Sequence, residues 1–134
     1  MSTAPTFADA RLWIADGVEA PDAVLAPLHA YALGHATGDP THFLDAFRAT
    51  AHVEGIRDGV FASWDLPAYC ALFSGPAADE DTRERVVDDV RVVGTVATAW
   101  MTLRHGADTF TDVFLLVLDG GRWQIANKAY HRHA

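Results

Sequence analysis

The sequence predicts an α+β domain, with helices packed on one face of a curved antiparallel sheet. Three observations carry that prediction. Apolar residues recur at helical spacing through the first half of the chain, and after an acidic stretch, Ala77 to Asp81, the period drops to two. The chain then closes on a hydrophobic hairpin, Thr109 to His131, folded about Asp119-Gly120-Gly121. Helices followed by consecutive strands give an α+β layer rather than an alternating parallel sheet.

The elements follow in order. Residues 1–20 read as irregular, with a short helix over Phe7 to Ile14 ended by Asp16-Gly17. Phe7, Leu12 and Trp13 make this segment too apolar for a free tail, so it is expected to pack on the domain or on a second subunit. Residues 21–134 form the single domain. Val24, Leu28, Tyr31 and His35 fall on one helical stripe ended by Gly38, and Pro27 either kinks that helix or lies in its first turn. Asp39-Pro40 opens a second helix, running to about Arg48 and burying Phe43, Leu44 and Phe47. Asp58-Gly59 turns a hairpin from His52 to Trp64. Asp65 caps a third helix carrying Leu66, Tyr69, Cys70 and Phe73, and Gly75-Pro76 stops it. The acidic residues that follow read as a solvated loop. Strands are then expected over Val86 to Val92, Val96 to Arg104, and the two arms of the closing hairpin.

Composition narrows the functions. Eighteen acidic residues against ten basic ones give a net charge of −8, and the basic residues are scattered, which argues against a nucleic-acid partner. A single cysteine, Cys70, excludes an intrachain disulfide, so packing must supply the stability. There is no apolar run of about 18 residues to span a membrane. The first residues lack a basic region followed by an apolar core, so the expected location is cytoplasmic.

GDP at the second helix, HVEGIRDG at the first hairpin and FTDVFLLVLDGGRWQIANKAYH at the end together resemble the nuclear transport factor 2-like superfamily. The resemblance covers roughly residues 20–131. It is narrowest to small bacterial proteins labelled "putative lumazine-binding" or polyketide-cyclase-like. It implies a cone-shaped fold: three N-terminal helices closing over a strongly curved sheet with a small extra hairpin, enclosing a cavity. It also implies a homodimer through the other face of the sheet. The superfamily holds isomerases, dehydratases, cyclases, non-catalytic binders and assembly modules, so the fold does not fix the function.

Several residues can carry chemistry. Asp112 shares a strand face with Phe114, Leu116 and Leu118, where desolvation raises a carboxylate toward the general acid–base range. The blander reading is a strand-end carboxylate bonded to its neighbours. Lys128, the only lysine, depends on the turn. A two-residue loop sends Asp112 and Lys128 to opposite faces and puts Asn127 beside Asp112; a three-residue loop makes Asp112 and Lys128 neighbours. The two-residue loop is favoured, with Lys128 at a subunit interface. His52 and Glu54 lie on one side of the first hairpin. They form an acid–base pair more readily than a metal site, since no third ligand follows at a recognisable spacing. His131 ends the last strand and His133 is expected to be disordered. No metal or cofactor is expected.

His35, Trp64, Tyr69, Phe73 and Trp100 are candidates to line the cavity, with Asn127 and Lys128 as further ligand-binding candidates, although aromatics at such spacing are commonly plain core. Cys70, on an apolar stripe, is expected to be an inert thiol. Two functions compete. One is a binding module for a small hydrophobic molecule. The other is a cofactor-independent lyase, isomerase or cyclase using Asp112 or His52 on a ring-containing substrate. The sequence favours the first, because its acid–base candidates occur singly.

Overall fold

The computed structural model describes residues 4–133. Cap residues set the helix boundaries. α1 (Asp22–Thr37) stops at Gly38, whose φ of +71° is the left-handed conformation that costs a glycine nothing. Asp39 caps α2 (Pro40–Ala46) by accepting from Thr41 N, and Asp65 caps α3 (Leu66–Cys70) by accepting from Ala68 N. α1 begins five residues before Pro27 and runs through it. α2 is shorter than expected, and Leu44 is 59% exposed because one stripe of so short a helix, Phe43 and Ala46, does the packing.

The strands are β1 (Leu12–Ile14), β2 (His52–Arg57), β3 (Val60–Asp65), β4 (Glu84–Val93), β5 (Val96–His105), β6 (Asp108–Asp119) and β7 (Arg122–Arg132). They form one sheet in the order β1-β4-β5-β6-β7-β2-β3, antiparallel except where β1 joins β4 and β2 joins β7. α3 follows the β2–β3 hairpin instead of preceding every strand. Register shifts interrupt β4 against β5 and β7 against β6, and such bulges bend and twist a sheet, which curls this one around the helices. The helix-covered face carries Ala97, Ala99, Met101, Phe114, Leu116 and Ile125, all buried. Tyr31 fills the space above them, its ring 5.0 Å from Phe114 and about 6 Å from Phe43 and Phe47.

Three expectations change. The predicted N-terminal helix is a 3-10 turn (Ala8–Ala10) followed by β1, because Leu12, Trp13 and Ile14 pair with Arg85, Val86 and Val87 along the exposed edge of β4. Leu12 and Trp13 are buried there; residues 1–3 of the same segment, and Ala134, lie outside the described residues. The acidic loop tightens into a 3-10 turn at Glu80–Thr82, which a buried arginine holds. His133 is held rather than free: its N–H donates to Thr109 O at 2.9 Å and its Nε2 lies 2.8 Å from Thr111 Oγ1. Among the described residues no helix is long and apolar enough to cross a membrane.

Candidate functional site

The closing hairpin decides what shares a face. Asp119 pairs with Arg122, so the loop has two residues, Gly120 and Gly121, with φ of +59° and +77°. This double positive φ suits the right-handed twist of the strands and needs glycine or asparagine. On that register alone Lys128 would oppose Val113 and face away from Asp112. The pairing instead slips between Leu115 and Leu116: Leu116 meets Ile125, while Leu115 meets Asn127. Ala126 is the extra residue. Beyond it Phe114 pairs with Lys128 and Asp112 with Tyr130, so Asp112, Phe114, Lys128 and Tyr130 all face the helices. The opposite-face expectation, and with it the interface position for Lys128, is overturned by this bulge.

Asp112 and Lys128 are 1% and 7% exposed, and Lys128 Nζ stands 3.4 Å from Asp112 Oδ2. Lys128 donates to the hydroxyl of Tyr31 at 2.8 Å, and that hydroxyl points at Asp112 Oδ2 from 3.5 Å, a weak contact. Rings enclose the ammonium: Nζ is 4.7 Å from the centre of Tyr31, 5.7 Å from Tyr69 and 6.0 Å from both Phe114 and Tyr130. Burial raises the Asp112 carboxyl above its ordinary range, against the pull of Lys128. Burial also opposes the charge on Lys128, but Asp112 and Tyr31 outweigh it and hold the ammonium protonated well above its usual value. Burial likewise lifts the Tyr31 phenol well above 10. The three form a closed, polarised triad on the floor of the sheet.

A second buried charge lies on the same face of β4. Arg85, fully buried, donates through Nη1 to Ala10 O and Glu80 Oε2, each at 2.9 Å, and through Nη2 to Glu80 Oε1 at 2.6 Å. Its Nε and Nη2 both point at His35 Nδ1, at 3.0 and 2.8 Å. Arginine has no acceptor, so His35 Nδ1 must be unprotonated and the ring proton sits on Nε2. Burial first, then the Arg85 charge, holds His35 well below 6.5. His35 also stacks on Tyr31 with centroids 6.0 Å apart, which links the two clusters.

Toward one end the sheet opens into a cleft of about 770 Å³, walled by the β2–β3 turn, the β5–β6 turn and the last residues of β7. Tyr130 and Phe110 lie on its floor, with Arg57, His105 and Arg132 around them. Tyr130 stands between the cleft and Lys128. Its ring lies over Gly55, where a Cβ would come within 2.7–2.8 Å of ring atoms, so only glycine leaves room for it.

The remaining candidates divide between the two faces. Trp64, opposite Val53 on the inner face, stacks on Tyr130 at 6.3 Å. Tyr69 and Phe73 pack edge-on at 5.2 Å, and Phe73 meets His35 at 5.8 Å. His52 and Asn127 sit on the outer face, because Val53 and Lys128 pair facing inward. There Asn127 Oδ1 accepts from His52 N at 2.9 Å, and His52 Nδ1 contacts Thr50 O at 3.2 Å, so neither reaches Asp112. Trp100 is also on the outer face and 45% exposed. The roles of Tyr130, Phe110, Arg57, Arg85 and Glu80 escaped sequence reasoning. Period-two alternation from Lys128 could have found Tyr130; nothing in the sequence pairs Glu80 with Arg85. Among the described residues no three His, Cys, Asp or Glu side chains gather as a metal site.

Known proteins place this geometry. An NTF2-like protein of unknown function from Shewanella baltica superposes with a TM-score of 0.75 at 24% identity, covering 84% of this chain and 93% of its own. A similar protein from Silicibacter pomeroyi gives 0.73 at 20% identity, over 84% and 94%. One from Methylobacillus flagellatus gives 0.68 at 25%, over 84% and 91%. No curated protein matches the chain. The family model described as "Putative lumazine-binding" matches residues 19–131, nearly the whole described domain, and the chain therefore belongs to that family, within the nuclear transport factor 2-like superfamily.

Proposed function

We propose that the protein binds a small, flat organic molecule in the open-end cleft, without transforming it. One observation carries this reading: the acid–base groups are closed off, with Asp112 neutralised by Lys128 and 1% exposed, whereas the cleft beside them presents ring faces to solvent. Its volume of about 770 Å³ falls within the range of roughly 300–1,000 Å³ usual for small-molecule sites. The family description, which concerns a fused-ring ligand, agrees with such a floor. Tyr130 and Phe110 form the stacking surface, and Trp64 backs it by stacking on Tyr130.

Binding to the folded state alone raises the melting temperature, by about 2.7 kcal/mol of stabilisation at a hundred times Kd. A thermal-shift screen of fused-ring compounds is therefore expected to produce hits that Tyr130→Ala abolishes. A flat response across the panel would refute the proposal.

A second reading, a cofactor-independent lyase or isomerase, draws on the raised Asp112 carboxyl and the Tyr31 hydroxyl polarised by Lys128. It requires Tyr130 to swing aside. Its mark is exchange of a bound ketone's α-hydrogens in D2O, abolished by Asp112→Asn; absence of exchange with bound ketones counts against it.

We also propose a homodimer through the outer sheet face. Val93, Val96, Trp100 and Leu115 are 45–74% exposed and lie on that one face, an apolar stripe that a second copy would cover. Light scattering is expected to report a dimer that Trp100→Glu dissociates, and a monomeric parent chain would overturn it.

A further inference from the structure

We infer that the ligand taken by the cleft is a planar organic anion whose acid group is held by Arg57; the inference rests on the cleft being the binding site. A ladder of planar groups crosses five strands at the cleft. The Arg57 guanidinium carbon lies 5.7 Å from the Trp64 ring centre, and Trp64 stacks on Tyr130 at 6.3 Å and 25°. Phe110 meets Tyr130 edge-on at 6.5 Å, and His105 lies flat on Phe110 at 5.5 Å and 6°. Such a surface takes a flat ring by its face.

The two arginines of the cleft differ. Arg132 is occupied: its Nη2 and Nε donate to Asp108 Oδ1 at 2.7 and 3.2 Å. Among the described residues, Arg57 meets no carboxylate within 4.0 Å, although its chain neighbour Asp58 lies on the rim and acts electrostatically on Arg132. In a chain with 18 acidic residues and a net charge of −8, an arginine at a concave rim without an acidic partner stands out. Its contact with Trp64 uses the cation and leaves the N–H donors unengaged. A guanidinium offers them in a fork that fits a carboxylate with two parallel bonds. On the floor, the Tyr130 hydroxyl is buried without a hydrogen-bond partner among the described residues. Closed off from solvent, that hydroxyl is not offered to the cleft, which meets a ligand through the Tyr130 ring. A flat ring lying against Tyr130 with its acid group at the Arg57 end engages the guanidinium.

The test compares two probes of one shape, 2-naphthoate and its uncharged amide, 2-naphthamide, titrated calorimetrically into the full chain. The acid is expected to bind about tenfold more tightly than the amide. Arg57→Gln, a change at an exposed side chain, should bring the affinity of the acid down to that of the amide measured in the same variant. Equal affinities in the parent protein, or an acid preference that survives Arg57→Gln, would overturn the anion inference while leaving the cleft as a binding site. If neither probe binds at millimolar concentration, the inference fails together with the cleft reading.

Discussion

Two buried cations sit on the same face of the same sheet, and they are satisfied very differently. All five N–H donors of Arg85 point at acceptors, on Ala10, Glu80 and His35. Lys128 makes one hydrogen bond, to Tyr31, and one longer ion pair, to Asp112; the rest of its surface meets ring faces. The planar fork suits a knot that ties four segments together, and the compact ammonium suits a site where a charge is held but not saturated. Burial of a charge therefore does not by itself mark function. The number of donors left without a strong acceptor separates the two clusters: none for Arg85, and part of the ammonium for Lys128.

The largest effect should come from breaking the knot. Arg85→Met leaves Glu80 and the Ala10 carbonyl without their partner, and losing one side of a buried ion pair costs about 3–5 kcal/mol. Because Arg85 also anchors the turn before β1, chemical denaturation should show the loss together with faster proteolysis near residue 10. A loss under about 1 kcal/mol would mean the knot is not structural.

Lys128→Met is expected to cost somewhat less, about 3 kcal/mol, because Asp112 can take up a proton once its cation is gone. The double variant Asp112→Leu with Lys128→Met should recover most of that stability, since an apolar pair of similar volume often matches a buried ion pair. If the triad is a structural necessity like the knot, the double variant will be no better than the single one.

The contrast between these clusters also shows what the sequence could reveal. Cap and turn chemistry is local: Gly38, Asp39, Asp65, Asp58-Gly59 and Gly120-Gly121 each fix a boundary through their own backbone or side chain, and these features were legible. The hydrophobic hairpin carried the superfamily. The faces were not legible, because Ala126 is an ordinary residue and a bulge depends on what two strands must bury together. Had the ladder run straight, Lys128 would have been driven to the outer face. The Arg85 knot was hidden for a similar reason: Glu80 reads as one more acidic residue in a solvated run until the curl of β4 brings Arg85 beneath it.

Gly55→Ala separates the clusters by geometry. A methyl group there meets the Tyr130 ring at 2.7–2.8 Å, so the ring must tilt toward Lys128 or into the cleft, at a cost of about 1–3 kcal/mol for overpacking. Probe binding in the cleft should weaken, while the N-terminal segment keeps its protease resistance because the knot is untouched. Unchanged binding would show that Tyr130 does not shape the site.

The smallest effect is also the most specific, and it tests the knot through its proton balance. His35 is held well below 6.5 by burial and by the positive charge of Arg85, with Lys128, Arg83 and His105 acting in the same direction. Between that depressed folded value and about 6.5 the unfolded chain binds a proton that the folded chain refuses. The contribution of His35 to stability is therefore fully present above about pH 6.5 and is lost as the pH falls from there through the folded value, by up to about 1.4 kcal/mol per pH unit. Asp112, raised by burial, has the opposite sign: its contribution is present below its ordinary value of about 3.9 and is lost as the pH rises through the folded one. Comparison with His35→Gln removes that background, because glutamine still offers Arg85 an acceptor but does not titrate. Urea denaturation between pH 5 and 7 should then give a stability that declines toward pH 5 in the parent chain more steeply than in the variant. Equal slopes would mean that the imidazole against Arg85 is not what resists the proton.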